Sequence, residues 1–257
     1  MSSTHSKPIL AIRDLHKSYG AKEILKGVDF DLFAGETLVI LGFSGTGKSV
    51  TLRQINGLEK PDQGQVFFDG IEVTSLSERQ LYPIRRRVSM LFQGGALFDS
   101  MNVLDNVAFP LREHTDHDSD EIAEIVRQKL SLVRLENVEH MMPSDLSGGM
   151  RKRVALARSL ALDPELMLYD EPTTGLDPVT SAAIGELIHG AQRDLCVSAV
   201  VVTHDLPLAR TVANKVAFLY EGRFRFLGTW EEAESAQDVQ LRCFLEGRPA
   251  PEVEHAA

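Results

Sequence analysis

The segment from Thr37 to Leu58, TLVILGFSGTGKSVTLRQINGL, restricts the possible folds more than any other stretch of the chain. Leu38 to Leu41 is continuously apolar, as expected of a strand covered on both faces. It runs straight into a glycine-rich loop, Gly42 to Ser49, and a helical pattern follows at once. Glycines let such a loop turn its amides inward, and exposed amides at a helix N-terminus attract anions. Strand, loop and helix in this order fit the phosphate-loop pattern G-x-x-x-x-G-K-S. On this reading Gly42, Phe43, Ser44, Gly45, Thr46, Gly47 and Val50 belong to a nucleotide cradle. Lys48 then reaches the β- and γ-phosphates of ATP, and the Ser49 hydroxyl ligates Mg²⁺.

The remaining patterns predict the scaffold around this loop. Val28, Phe30 and Leu32 alternate with polar residues, the mark of a strand with one wet face. GQVFFDGIEV reads as a hairpin turning at Asp69-Gly70, and a short helix is expected over Ser77 to Arg86. Apolar residues recur at helical spacing at Ile122, Ile125, Val126, Leu130 and Val133, and again at Met150, Val154, Ala157 and Ala161. No strand pattern stands out between Phe98 and Ala161. Strands return in ELMLYD and SAVVVTH, separated by a helix that starts at Asp177-Pro178, a good cap followed by a good first residue. KVAFLYEGRFRFLG is a second hairpin, and Thr229 with Glu232 fits a capping box. Alternating strands and helices imply an α/β core with a mainly parallel sheet, interrupted by a helical lobe.

Charge narrows the partners. A net charge of -10 argues against unspecific binding to nucleic acid or anionic headgroups. No apolar run approaches the ~18–20 residues needed to span a bilayer. The N-terminal MSSTHSKPIL lacks a signal-type hydrophobic stretch, so the chain is expected in the cytoplasm. Cys196 and Cys243 show no metal-ligand spacing and are expected to be reduced, buried small apolar residues. The tail over 247–257, GRPAPEVEHAA, is expected to be loose or dependent on a partner.

Several further residues carry chemistry. LMLYDE ends a buried strand in two carboxylates, which is costly without a cation or partner to meet them. Asp170 is placed to hold Mg²⁺, and Glu171 to act as general base on the water that attacks the γ-phosphate. Gln93, closing VSMLF, is a candidate contact to Mg²⁺ or that water, and His204 a candidate donor to the γ-phosphate. Tyr19, at the end of the first strand, offers a ring to adenine. LSGGMRKRVALARSL supplies a second anion-ready helix N-terminus at Ser147, Gly148 and Gly149, with Arg151, Lys152, Arg153 and Arg158 forming a basic side. One nucleotide needs only one phosphate loop. A head-to-tail homodimer would use the spare terminus for its partner's nucleotide, closing two ATP molecules in an isologous interface.

Taken in order, Tyr19, GFSGTGKS, Gln93, LSGGM, LMLYDE, GLDP and His204 resemble the full motif series of the ATP-binding cassette (ABC) ATPases, over roughly residues 8–230. The resemblance implies a P-loop NTPase (RecA-like) core with an N-terminal antiparallel β subdomain and an inserted α-helical subdomain. Residues 8–246 would form the ATPase domain, with the helical part at about 96–162. It assigns Tyr19 to adenine stacking, Gln93 to the Q-loop, Ser147 to Met150 to the signature motif, Asp177 to the dimer seam and His204 to the switch position. Two residues depart from the family pattern. Met150 stands where Gln is usual, and Phe43 where Pro is frequent. Neither removes a phosphate-contacting amide or charge.

GALFDSMNVLDNVAFPLREHT, Gly95 to Thr115, together with LSGGM, is similar to the ATPases of mammalian-cell-entry (MCE)-type lipid transporters, including the Mla phospholipid system of Gram-negative bacteria. That likeness implies an integral membrane permease, a periplasmic MCE lipid-binding subunit and a small STAS-domain protein as partners. It puts the chain on the cytoplasmic face of the inner membrane, with LREHT a candidate for signalling ATP state to the permease. An importer ATPase for amino acids or other small solutes shares every catalytic motif. A non-transport ABC protein acting on DNA or the ribosome fits the acidity poorly.

Overall fold

The computed structural model describes residues 7–249. Its first elements are β1 (Leu10–Tyr19), β2 (Lys22–Leu32), β3 (Thr37–Leu41), α1 (Lys48–Ile55), β4 (Gln63–Phe68) and β5 (Ile71–Glu72). Next come α2 (Glu78–Arg87), β6 (Val88–Leu91), α3 (Val103–His114), α4 (Ser119–Leu132), α5 (Gly148–Ser159) and β7 (Leu166–Asp170). The chain continues with α6 (Pro178–Leu195), β8 (Ser198–Thr203), α7 (Leu206–Val212), β9 (Lys215–Tyr220), β10 (Arg223–Gly228), α8 (Trp230–Ser235) and α9 (Val239–Leu245). Two units form: one takes the chain up to Thr74 and again from Val202 onward, the other runs Ser75–Val201.

In the first unit β2, β1, β4 and β5 make an antiparallel sheet. Leu10 faces Leu32 and Ile12 faces Phe30 across β1 and β2, so the buried side chains of both strands share one face. Asp69 and Gly70, both at positive φ, make the β4–β5 turn expected of an Asp-Gly pair. Strands β10, β9 and β3 lie side by side, with β3 parallel to β9 from Leu38 beside Lys215 to Leu41 beside Phe218. Every residue of β3 is buried, which accounts for its unbroken apolar run. Its entry is fixed by Asn214, whose side chain accepts from the Thr37 amide at 2.7 Å while its own amide donates to the Thr37 carbonyl at 3.0 Å.

In the second unit β8, β7 and β6 are neighbours, with β6 parallel to β7 from Val88 beside Leu166 to Leu91 beside Tyr169. Helices α3, α4 and α5 pack through Val107, Leu111, Ile122, Val126, Val154 and Ala157, and no strand interrupts 98–161. The helix starts carry side-chain caps, of which Asp177 was expected from the sequence. Asn102 accepts from Asp105 N, Asp118 forms a capping box with Glu121, and Asp177 accepts from the Val179 and Thr180 amides. The same residue types close α8, where Thr229 and Glu232 cap reciprocally in the first unit.

The expectation for the cysteines needs correcting. Cys196 is exposed and sits at φ 54° as the left-handed cap of α6, and Cys243 is only half-buried. The chain has to reverse after α6, so a cap position won over the burial preference of cysteine. Within LREHT, Leu111 to His114 are the last turn of α3 and Thr115 is its cap, so most of that segment is helix. Of the tail expected to be loose, 250–257 lies outside the described residues.

Candidate functional site

The phosphate loop of the first unit is shaped by contacts that only glycine allows. A Cβ on Gly42 would lie 2.5 Å from the Leu219 carbonyl oxygen, so the loop leaves β3 hard against β9. Gly47, the cap of α1, has φ 106°, and a Cβ there would meet Leu25 at 2.8 Å and Ile24 at 2.9 Å. Lys48 is buried, with its ammonium donating to the carbonyls of Gly42 at 2.8 Å and Phe43 at 3.1 Å. The Phe43 carbonyl also accepts from the Thr46 hydroxyl at 2.9 Å. Ser44 and Gly45 are exposed at the tip, and Ser49 and Val50 open α1 beneath them.

The Phe43 ring sits among aromatic side chains of β9 and α9. It packs edge-on against Phe244 of α9, with centroids 5.1 Å apart, and meets Tyr220 at 6.2 Å and Phe218 at 6.3 Å. A cavity of about 580 Å³ borders the loop, lined among others by Lys22, Lys26, Phe43, Thr46 and Tyr220. Of the residues assigned to the nucleotide, Phe43, Ser44, Gly45 and Thr46 line it, and Tyr19, Lys48 and Ser49 do not. Tyr19 ends β1 with its ring exposed. Its hydroxyl donates to the Glu59 carboxylate at 2.6 and 2.7 Å, which fixes the ring's direction. Partial burial and the Glu59 carboxylate both push this phenol above its ordinary pKa. His204 lies exposed just past β8. The backbone after it is pinned by Asp205, whose amide donates to Thr203 Oγ1 at 3.0 Å and whose carboxylate caps α7.

The second unit holds the acids. Leu166 to Tyr169 are buried, and β7 ends at Asp170. Glu171 is 9% exposed and takes φ 47°, a left-handed backbone that costs a non-glycine residue about 1–3 kcal/mol. Its carbonyl accepts from the Thr174 amide at 3.2 Å, and Thr174 Oγ1 lies 3.5 Å from the carboxylate. Gln93 lies two residues beyond β6, with an exposed side chain.

Signature residues Ser147 to Met150 start α5. Ser147 Oγ accepts from the Met150 amide at 3.2 Å, and Ser147 and Gly148 are exposed. Gly149 has no room for a side chain, because a Cβ would lie 2.6 Å from Thr180 Cγ2. Thr180 in turn donates its hydroxyl to Asp177 at 2.5 Å, so the signature turn and Asp177 are held side by side. That bond, with the Thr180 amide, keeps the Asp177 carboxyl below the usual carboxylate range.

Within this unit the fold brings together two sets that are distant in sequence: Ser147–Gly149 with Asp177, and Gln93 with Asp170 and Glu171. The second set is joined by Lys152, which the sequence reading placed with Arg151, Arg153 and Arg158 on a basic side of the helix. Lys152 is buried instead, and its ammonium donates to the Gln93 carbonyl. Burial lowers its pKa, against the pull of Asp170 and Glu171. Glu59 and Thr180 escaped the sequence reading, and the buried role of Lys152 was not seen in it. Only Lys152 left a trace, as a cation between the apolar positions Met150 and Val154 of one helix.

The family model described as ABC transporter matches residues 25–174. A probable ribonucleotide transport ATP-binding protein, mkl, of Mycobacterium leprae is 44% identical over 239 residues, covering 93% of this chain and 69% of that protein. The intermembrane phospholipid transport system ATP-binding protein MlaF of Escherichia coli K12 is 40% identical over 239 residues, covering 93% of this chain and 89% of that protein. Among solved structures, the dimeric post-hydrolysis state of the ATP-binding cassette MJ0796, bound to ADP and Pi, matches with a TM-score of 0.80 at 32% identity. That match covers 86% of this chain and 98% of the other.

Proposed function

The chain belongs to the ABC transporter family, and from that premise we propose that it is the ATPase subunit of a phospholipid transporter, acting as a homodimer beneath an inner-membrane permease. The observation that carries the reading is two anion-ready helix N-termini on one chain, α1 behind Gly47 and α5 behind Ser147. In a head-to-tail pair, each ATP would meet the phosphate loop of one subunit and Ser147, Gly148, Gly149 and Met150 of the other. Asp177, held beside Thr180, would lie at the seam. A dimeric ATP-binding cassette among the structural relatives supports this arrangement.

The chemistry follows from the side chains. Tyr19 stacks on adenine, the loop amides hold the phosphates, and Lys48 neutralises β- and γ-oxygens. Ser49, Gln93 and Asp170 offer hydroxyl, amide and carboxylate oxygens, the hard donors that suit Mg²⁺. Mg²⁺, when bound, draws charge from the β- and γ-phosphate oxygens and fixes their geometry. Glu171 accepts a proton from water as the water oxygen bonds to the γ-phosphorus. The bond from that phosphorus to the β–γ bridging oxygen breaks, releasing ADP and inorganic phosphate. His204 donates to the γ-phosphate oxygens as their charge changes.

The phospholipid cargo rests on the MlaF relative, matched over most of both chains, and on the Gly95–Thr115 segment. A periplasmic MCE subunit and a small STAS-domain protein would complete the assembly. A second reading, ribonucleotide cargo, is favoured by the name of the Mycobacterium leprae relative. Affinity capture of the full-length chain from membranes, with mass spectrometry of bound proteins and lipids, separates the two. Recovery of a permease carrying phospholipid supports the first, and phospholipid-free complexes stimulated by nucleotides would replace it. Glu171→Gln should retain ATP and trap a closed dimer, and ordinary turnover by that variant would remove Glu171 as the base.

A further inference from the structure

Lys152 is the one buried lysine of α5, and burying an ammonium is costly unless opposite charge and acceptors compensate. Here the compensation comes from three groups assigned to hydrolysis. The ammonium donates to the Gln93 carbonyl, and it feels the charges of Asp170 and Glu171. The same helix grips the segment after Gln93 a second time. Arg158 donates to the Gly95 carbonyl at 2.8 Å and lies over the Phe98 ring at 5.5 Å. Gly95, at φ 76°, comes so close that a Cβ would meet Ala155 at 3.3 Å. Two cations from one face of α5 thus hold the backbone on both sides of Gly94, leaving the Gln93 side chain as the exposed part of a fixed turn.

We propose that Lys152 is a positioning residue for hydrolysis: it fixes Gln93 through its carbonyl and ties the signature helix to the turn that presents Gln93 to Mg²⁺ and the attacking water. The assignment rests on the ATPase reading above. A lysine that merely fills space would tolerate Met, which matches its length and lacks its donors and charge. A tie to Gln93 requires a cation, so Arg substitutes and Met does not.

The test uses the full-length chain purified with the membrane partners it binds, as wild type, Lys152→Met and Lys152→Arg. Rates are normalised to ATP-binding sites titrated with a fluorescent ATP analogue, so unfolded protein does not count as lost activity. Lys152→Met should lower kcat about tenfold, the loss expected for a charge-assisted hydrogen bond. It should raise the Mg²⁺ concentration for half-maximal rate while leaving KM for ATP within about twofold. Lys152→Arg should recover most of the rate and the wild-type Mg²⁺ curve. A kcat for Lys152→Met within about twofold of wild type, an unchanged Mg²⁺ curve, or equal losses in Met and Arg variants would each overturn the assignment. A wild-type complex without ATPase activity would instead overturn the reading on which it rests.

Discussion

Phe43 replaces a residue that is frequently Pro in this loop, and its ring couples the phosphate loop to the C-terminal helix. Truncating it to Ala removes edge-on contacts to Phe244 at 5.1 Å, Tyr220 at 6.2 Å and Phe218 at 6.3 Å. A fully buried Phe→Ala change costs about 3–5 kcal/mol, so this half-buried ring should cost ~2 kcal/mol. For a chain of this size that is a fall of about 4–8 °C in Tm. The Phe43 carbonyl also accepts from Lys48 and Thr46, so a loosened residue 43 frees the Lys48 ammonium proposed to meet phosphate. ATP affinity should fall about three- to tenfold. Urea unfolding of Phe43→Ala, Phe244→Ala and the double variant should give a coupling of ~1 kcal/mol. Phe43→Pro should retain ATP affinity, because the ring of proline stiffens the loop, yet show no coupling to Phe244. A coupling below ~0.3 kcal/mol, or unchanged ATP binding in Phe43→Ala, would refute the link between α9 and the loop.

Other expectations are simpler. Gly42→Ala places a methyl 2.5 Å from the Leu219 carbonyl, a backbone atom that cannot swing aside, and should destabilise by about 1–3 kcal/mol and abolish ATP binding in a fluorescence titration. Cys196 should react within seconds of adding a thiol reagent while Cys243 lags, and Cys196→Gly should stabilise by ~0.5–1 kcal/mol because glycine accepts the left-handed cap. The Asp177 carboxyl titrates lower in the folded chain than unfolded, so its contribution is full above the unfolded value of 3.8 and fades as pH falls through the lower folded one. The stability gap between wild type and Asp177→Ala should therefore hold constant from pH 7 to pH 5 and close only in strong acid, as followed by urea midpoints.

The legible parts of this protein are those whose physics is local. Gly42 to Ser49 could be read because a strand, a glycine turn and a helix start are consecutive in the chain, and amides at a helix start attract anions wherever they occur. The caps at Asp177 and Thr229 were equally plain, since a cap bonds residues two or three places away. The Leu38–Leu41 run announced a covered strand for the same reason, its burial being written in every consecutive residue.

What the sequence by itself determined, then, was an α/β core with a strand, glycine loop and helix in phosphate-loop order, and the chemical types of the side chains proposed for catalysis. Tertiary structure alone decided how those side chains are held. Lys152 looks like one of four surface cations until α5 packs and buries it against Gln93. Nothing in the sequence around Gly149 says that Thr180, thirty-one residues later, leaves it no room for a side chain. Phe43 reads as a departure from a motif until α9 delivers Phe244 from two hundred residues away. Glu171 becomes a buried carboxylate at positive φ only where β7 ends in the folded chain. The reason is common to all four: burial and contact depend on which distant segment the fold brings alongside, and a residue's own neighbours carry no record of it.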